Sequence, residues 1–212
     1  MRNSRRLAVA FAISTLVGGV AEAAPGAPPV VTVLGDSIAA GYGLPAAQAL
    51  PAQLQAALGR LGVRAVVRGA GVSGDTSAGG LARVDFSVQP DTKLCVVELG
   101  ANDYLQSVPP EVMKRNLTAL VRRLKARHIR VLLTGGAAPK STAGSYGTAF
   151  DAVFPAVAHA EGVALEPDLL GAVSTDPGLR QADGLHPNAK GVAVMAPRLA
   201  RAVAQALRRA GG

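Results

Sequence analysis

Three observations predict a three-layer α/β/α domain built on a parallel sheet. Apolar, largely β-branched runs recur at Val30 to Leu34, Val63 to Val67, Lys93 to Leu99 and Ile129 to Leu133. Between them lie stretches whose apolar residues repeat at helical spacing. The first run ends abruptly at Gly35-Asp36-Ser37 and gives way to Ile38, Ala39 and Ala40, as a buried strand does when a tight turn leads into a helix. Strands alternating with helices imply parallel pairing, right-handed crossovers and helices on both faces of the sheet.

The elements follow in order. Met1 to Ala23 has a basic start (Arg2, Arg5, Arg6), an apolar stretch from Leu7 to about Val20, and an A-x-A site at Ala21-Glu22-Ala23. That is the pattern of a cleaved secretory signal. The apolar stretch is short and interrupted by Ser14, Thr15, Gly18 and Gly19, which argues against a retained membrane anchor. Residues 24–29 form a Pro/Gly/Ala linker, and the domain occupies residues 30–212. No second apolar run is long enough to span a bilayer, so the mature protein is expected in the periplasm or outside the cell, without stable membrane insertion.

After the Ser37 turn, Leu50, Leu54, Ala57, Leu58 and Leu61 mark a helix, and Val63 to Val67 a second strand. A polar turn over residues 71–76 leads into a short helix through Leu81 and Val84, and Lys93 to Leu99 is the third strand. Met113, Leu117, Leu120, Val121 and Leu124 share one helical face within residues 111–127, with Pro109 and Pro110 at the start, where proline is tolerated. Ile129 to Leu133 is the fourth strand. Residues 135–147, rich in Gly, Ala, Ser and Thr, read as a mobile loop over the site, followed by a helix to about His159 and a fifth strand near Val163 to Leu165. The last helical pattern, residues 188–209, contains Pro197 and is expected to kink or split there.

Composition narrows the function classes. The 212 residues suit one domain that buries a core without disulfides or metals. Only 3% of residues are aromatic and none is Trp, which argues against a nucleic-acid binder that works by stacking. The formal charge is +8, and removal of residues 1–23 leaves +6. Much of the excess is interleaved with apolar residues in 114–130 and 198–209, as on a solvated helix face; weak attraction to anionic lipid is the alternative. Cys95, the single cysteine, lies within Leu94-Cys95-Val96-Val97 and reads as a small buried hydrophobe.

The chemistry lies in the turns. Ser37 follows the first strand, at the sheet edge where open α/β domains bind ligands, and is the candidate nucleophile; by itself, Asp36 or Ser37 could equally be a helix cap. Asp183-Gly184-Leu185-His186-Pro187 sets a carboxylate and an imidazole three residues apart before the last helix. A serine hydrolase needs that pair, a base for the serine proton and a carboxylate to hold the base in one tautomer. Asp-x-x-His alone also fits an Asx-capped turn, or two ligands of a metal site that lacks the others at recognisable spacing. Gly71 to Thr76 contributes a glycine N–H and Gly100 to Asp103 a side-chain amide, both donors an oxyanion requires, although Gly and Asn are also ordinary turn residues. Four such turns at one sheet edge are hard to attribute to loop chemistry.

Leu34-Gly35-Asp36-Ser37, Ser73-Gly74-Asp75-Thr76, Glu98 to Asp103 and Asp183 to Asn188 match, in order, the four signature blocks of the SGNH (GDSL-type) hydrolases. The chain most resembles the bacterial periplasmic thioesterase I / lysophospholipase L1 / arylesterase group. The resemblance implies Ser37 as nucleophile, His186 as base and Asp183 as its partner, with the Ser37 and Gly74 N–H groups and the Asn102 amide as oxyanion hole. It also implies a five-stranded, flavodoxin-like sheet in the order 2-1-3-4-5, and no metal or organic cofactor. The expected activity is hydrolysis of carboxylic esters or acyl thioesters through an acyl-Ser37 intermediate. A carbohydrate acetylesterase and a catalytically idle domain binding an acyl or anionic ligand are the alternatives. A nucleotide-binding module is disfavoured because residues 35–41 lack the Lys-Ser/Thr ending of a P-loop. Ala101 stands where relatives often have a second Gly, and Tyr104 replaces a smaller residue, so Tyr104 is expected to border the acyl pocket and limit chain length.

Overall fold

The computed structural model describes residues 26–136 and 144–208. The segment read as a signal therefore lies outside the described residues, as do residues 24–25 of the expected linker, 137–143 of the stretch expected to be a loop and 209–212 at the end of the expected domain. Five parallel strands, β1 (Val30–Gly35), β2 (Val66–Gly71), β3 (Thr92–Glu98), β4 (Arg130–Thr134) and β5 (Ala164–Glu166), lie in the order β2-β1-β3-β4-β5. Seven α-helices among the described residues surround them: α1 (Ser37–Ala40), α2 (Leu50–Arg60), α3 (Ser77–Ser87), α4 (Ala101–Leu105), α5 (Pro110–Ala126), α6 (Gly144–Glu161) and α7 (Ala189–Arg208).

Side chains alternate across β3, so Leu94 and Val96 face one layer while Cys95 and Val97 face the other. The first layer buries Leu50, Leu54 and Leu58 of α2 against Met195, Leu199 and Val203 of α7; the second buries Met113, Leu117 and Leu120 of α5 with Phe150 and Phe154 of α6. The middle stretches of β1, β3 and β4, covered on both faces, are almost wholly apolar, which is why they read as continuous runs rather than alternating ones. Cys95 is fully buried, and that burial pushes its thiol up to about 12.

Two expectations need correction, and of the kink or split expected at Pro197 the split is absent. The second strand covers residues 66–71, not 63–67, because the Val63 N–H is bonded to the Leu58 carbonyl and still belongs to the end of α2. Residues 144–147 open α6, although Gly and Ser had placed them in a loop. The last helix is not split at Pro197: α7 runs through it, its buried face of Met195, Ala196, Leu199 and Ala200 held against α2 and the sheet.

The chain passes from β1 outward to β2 and then back across β1 to β3. The connections after β1 and β3 therefore leave in opposite directions, and a crevice opens between them at the strands' carboxyl ends. The turns carrying Ser37, Gly74 and Asn102 all leave from this edge.

Candidate active site

Asp36 and Ser37 occupy the first turn after β1. The Asp36 carboxylate accepts the Ile38 N–H at 3.0 Å and caps α1, so the capping expectation and a placed serine are both satisfied by neighbouring residues. The Ser37 Oγ lies 2.8 Å from His186 Nε2, and His186 Nδ1 lies 2.7 Å from Asp183 Oδ2. An ionised carboxylate can only accept, so Nδ1 carries the ring proton and Nε2 presents its lone pair to the serine hydroxyl. Ser37 also stands 3.5 Å from Asp36 Oδ1. A hydroxyl has one proton to donate, and the much shorter contact assigns it to His186.

The Asp183 carboxylate is held by its own loop: Oδ1 accepts the Leu185 N–H at 2.9 Å and the His186 N–H at 3.0 Å. The hydrogen bond from the His186 ring is the largest influence and, with these two backbone bonds, holds the carboxyl down to about 2. The loop is braced in turn. The Gln181 N–H donates to the His186 carbonyl at 2.8 Å, and Asn188 Nδ2 donates to the carbonyls of Gly178 and Arg180, both at 2.9 Å, while Asn188 Oδ1 receives Gly191 N–H at the start of α7.

Asn102 is the second residue of α4. Its Nδ2 donates to Asp36 Oδ2 at 3.1 Å and to the Asp75 carbonyl at 2.9 Å, and two acceptors at that end fix the orientation of the amide. The amide thus ties the turns after β1, β2 and β3 together, with both hydrogens engaged. Gly74 lines the same cleft at φ 85°, a backbone that an alanine would hold only under strain even though nothing stands where its Cβ would go. Arg83, to which the sequence reading assigned no role, clamps this edge from α3. Its Nε donates to Asp75 Oδ2 at 2.6 Å, and its terminal nitrogens donate to the Ala70 and Gly35 carbonyls, each at 2.8 Å. Asp103 is buried and points away from the cleft, accepting the Ser77 N–H at 2.7 Å and the Ser77 hydroxyl at 2.5 Å, so it fastens α4 to α3.

The cleft measures about 260 Å³ and is lined by Asp36, Ser37, Ile38, Tyr42, Ser73, Gly74, Ala101, Asn102, Leu105, Leu170, Leu185 and His186. Tyr104, expected at the border of the pocket, is placed elsewhere: its ring meets Tyr146 at 5.5 Å and Phe150 at 5.1 Å, against the core layer of α5 and α6. On α4, residues 101, 102 and 105 share a face, and residue 104 is turned about 100° from 105. Leu105 consequently takes the position in the cleft expected of Tyr104. Tyr42 was also missed. Its ring lies 4.6 Å from the His186 imidazole, tilted by 37°, and its carbonyl receives a 2.8 Å hydrogen bond from Gln181 Nε2. An aromatic residue two places beyond a four-residue helix carries no periodic signal that could have located it.

No group of three or more His, Cys, Asp or Glu side chains among the described residues is arranged to hold a metal ion. Nor is any helix among them long and apolar enough to cross a membrane.

Comparison with known proteins gives the family. Residues 33–194 match the GDSL-like Lipase/Acylhydrolase family. The chain is 41% identical to Esterase TesA of Pseudomonas aeruginosa over 156 residues, 73% of this chain and 78% of that protein. It is 35% identical to Thioesterase 1/protease 1/lysophospholipase L1 of Escherichia coli over 157 residues, 74% of each. Among solved structures, the SGNH-hydrolase family esterase AlinE4 superposes with a TM-score of 0.72 at 40% identity, covering 87% of this chain and 99% of that one. The chain belongs to the GDSL-like lipase and acylhydrolase family and is an ester-hydrolysing serine enzyme.

Proposed function

We propose that the protein cleaves carboxylic esters and acyl thioesters by acyl transfer to Ser37, with His186 as general base and Asp183 as its orienting partner. The observation that carries this reading is the continuous Ser37–His186–Asp183 chain, at 2.8 and 2.7 Å, opening on an apolar cleft. Ser37 Oγ adds to the substrate carbonyl carbon while its proton passes to His186 Nε2. The carbonyl pair moves onto oxygen, and the tetrahedral oxyanion takes hydrogen bonds from the Ser37 and Gly74 N–H groups and from Asn102. Because both Asn102 hydrogens are already engaged, the oxyanion shares one with Asp36 or with the Asp75 carbonyl. Collapse expels the alkoxide or thiolate, which recovers the proton from His186. Water then attacks the acyl-serine by the same route and releases the acid.

Ile38, Leu105, Leu170 and Leu185 around the serine suit an acyl chain better than a sugar, which favours this reading over a carbohydrate acetylesterase. The relatives named for esterase, thioesterase and lysophospholipase activity support the same substrate class. The signal-like segment at residues 1–23 supports export to the periplasm or the exterior, with residues 30–212 as the working domain. The test is turnover of p-nitrophenyl acetate, butyrate and octanoate, of acyl-CoA and of acetylated sugars. Hydrolysis of the simple esters is expected; ligand binding without turnover of any ester would favour the idle binding domain.

The Asp183 carboxyl supplies a pH prediction. Its folded value of about 2 lies below its ordinary 3.8, so the ionised form is the one that folding favours. Its stabilising contribution is complete above 3.8 and is lost as pH falls toward 2. The Tm difference between wild type and Asp183→Asn should therefore be constant at higher pH and shrink across that window. A difference that persists unchanged through the window would mean that the carboxylate is not held by His186 and its loop.

A further inference from the structure

Glu98 ends β3 as a buried acid that the reaction just described does not use. It is paired in register with Gly35, the residue before the Asp36-Ser37 turn. Its Oε2 accepts the Asp36 N–H at 3.2 Å and the Ala39 N–H at 3.3 Å, so one oxygen bridges the turn on both sides of the serine. Gly35 has no side chain because Glu98 fills that space: a Cβ there would collide with Glu98 Oε2, with the Glu98 carbonyl and with Ala39. We propose that Glu98 is a positioning residue for the ester-hydrolysing reaction, holding the Ser37 turn from beneath and, through Asp36, the Asn102 amide. This inference rests on the acyl-Ser37 reading above.

The acid is suited to that task by its protonation. Two carboxyl groups buried side by side cannot both ionise without large cost. Burial, reinforced by the Asp36 carboxylate, pushes Glu98 well above the usual carboxylate range. Burial also raises Asp36, but the Ile38 N–H, the His186 ring and a hydrogen bond from Glu98 all favour its charged form. The proton of the pair therefore rests on Glu98, which donates to Asp36 while its Oε2 accepts from the turn. Asp36 is left as the acceptor that Asn102 Nδ2 and the Ile38 N–H require. One protonated side chain thus supplies two backbone acceptor contacts and one donor contact within a single cluster, and an amide would supply the same set.

That equivalence defines the experiment. Glu98→Gln, Glu98→Met and Glu98→Asp are compared with wild type and Ser37→Ala for kcat and KM on p-nitrophenyl butyrate, for thermal unfolding, and for the rate of Ser37 labelling by a fluorophosphonate. Glu98→Gln should retain kcat within about 3-fold. Glu98→Met removes both kinds of contact and Glu98→Asp withdraws them by one methylene. Each should lower kcat and labelling about 10-fold to 100-fold through misplacement of Ser37, with KM little changed. A folded Met or Asp variant with wild-type kcat would overturn the proposal, as would a loss in Glu98→Gln equal to that in Glu98→Met. If Met and Asp variants both fail to fold while Gln folds, Glu98 is a residue of the fold and the proposal also fails. Retained turnover in Ser37→Ala would instead refute the acyl-serine reading itself, so the two failures are distinguishable.

Discussion

Ser37→Ala and His186→Ala should each remove nearly all turnover, and the double variant should be no worse than either single one. The hydroxyl and the imidazole share one proton across 2.8 Å, so neither works without the other and their effects do not add. The loss expected for breaking such a unit is on the order of 10⁴-fold to 10⁶-fold in kcat, with residual activity supplied by the oxyanion donors and by binding. Both variants should remain folded, because Ser37 and His186 are only partly buried. A fluorophosphonate should label the wild type at Ser37 and fail on Ser37→Ala. Labelling at another serine, or losses that multiply in the double variant, would sink the assignment.

Asn102→Ala should be the next most damaging change, lowering kcat by roughly 10²-fold to 10³-fold, about 2.7 to 4 kcal/mol, with KM changing far less. Charge develops on the substrate oxygen only as Ser37 attacks, so a fixed donor is worth more in the transition state than to the bound ester. The geometry adds a second consequence. Removing the amide leaves Asp36 Oδ2 and the Asp75 carbonyl each short of a donor, so Tm should fall as well. Measuring kcat, KM and Tm on one preparation separates the two effects. A lower Tm with unchanged kcat in the folded fraction would leave Asn102 as a tie between three turns and remove it from the oxyanion hole.

Long and strongly patterned elements are legible in the sequence. The five apolar positions assigned to the face of α5 are all fully buried, because a helix of 17 residues repeats its pattern often enough to identify its inner side. The expected sheet order, which came with the family resemblance rather than from periodicity, is the observed one. Short elements were not legible. Five residues of α4 make little more than one turn, so nothing in their spacing told Leu105 from Tyr104, and the choice of which faces the cleft was made by Phe150 and Tyr146 on α6. The second strand was misplaced for a similar reason: Val63 is as β-branched as Val66, and only its hydrogen bond to Leu58 assigns it to the helix end.

By itself, the sequence determined the alternation of strands and helices, the buried face of the long helix α5 and the turns that carry Ser37, Gly74, Asn102, Asp183 and His186, because each is written in residues close together along the chain. Tertiary structure alone decided how those turns are joined. The contact of Ser37 with His186 spans 149 positions, and that of Glu98 with Asp36 spans 62. Strand register and the crossovers bring such residues together, and neither is encoded in any local spacing. For that reason Glu98 reads in the sequence as the polar end of an apolar strand, and only its pairing with Gly35 reveals an acid buried beneath the serine turn.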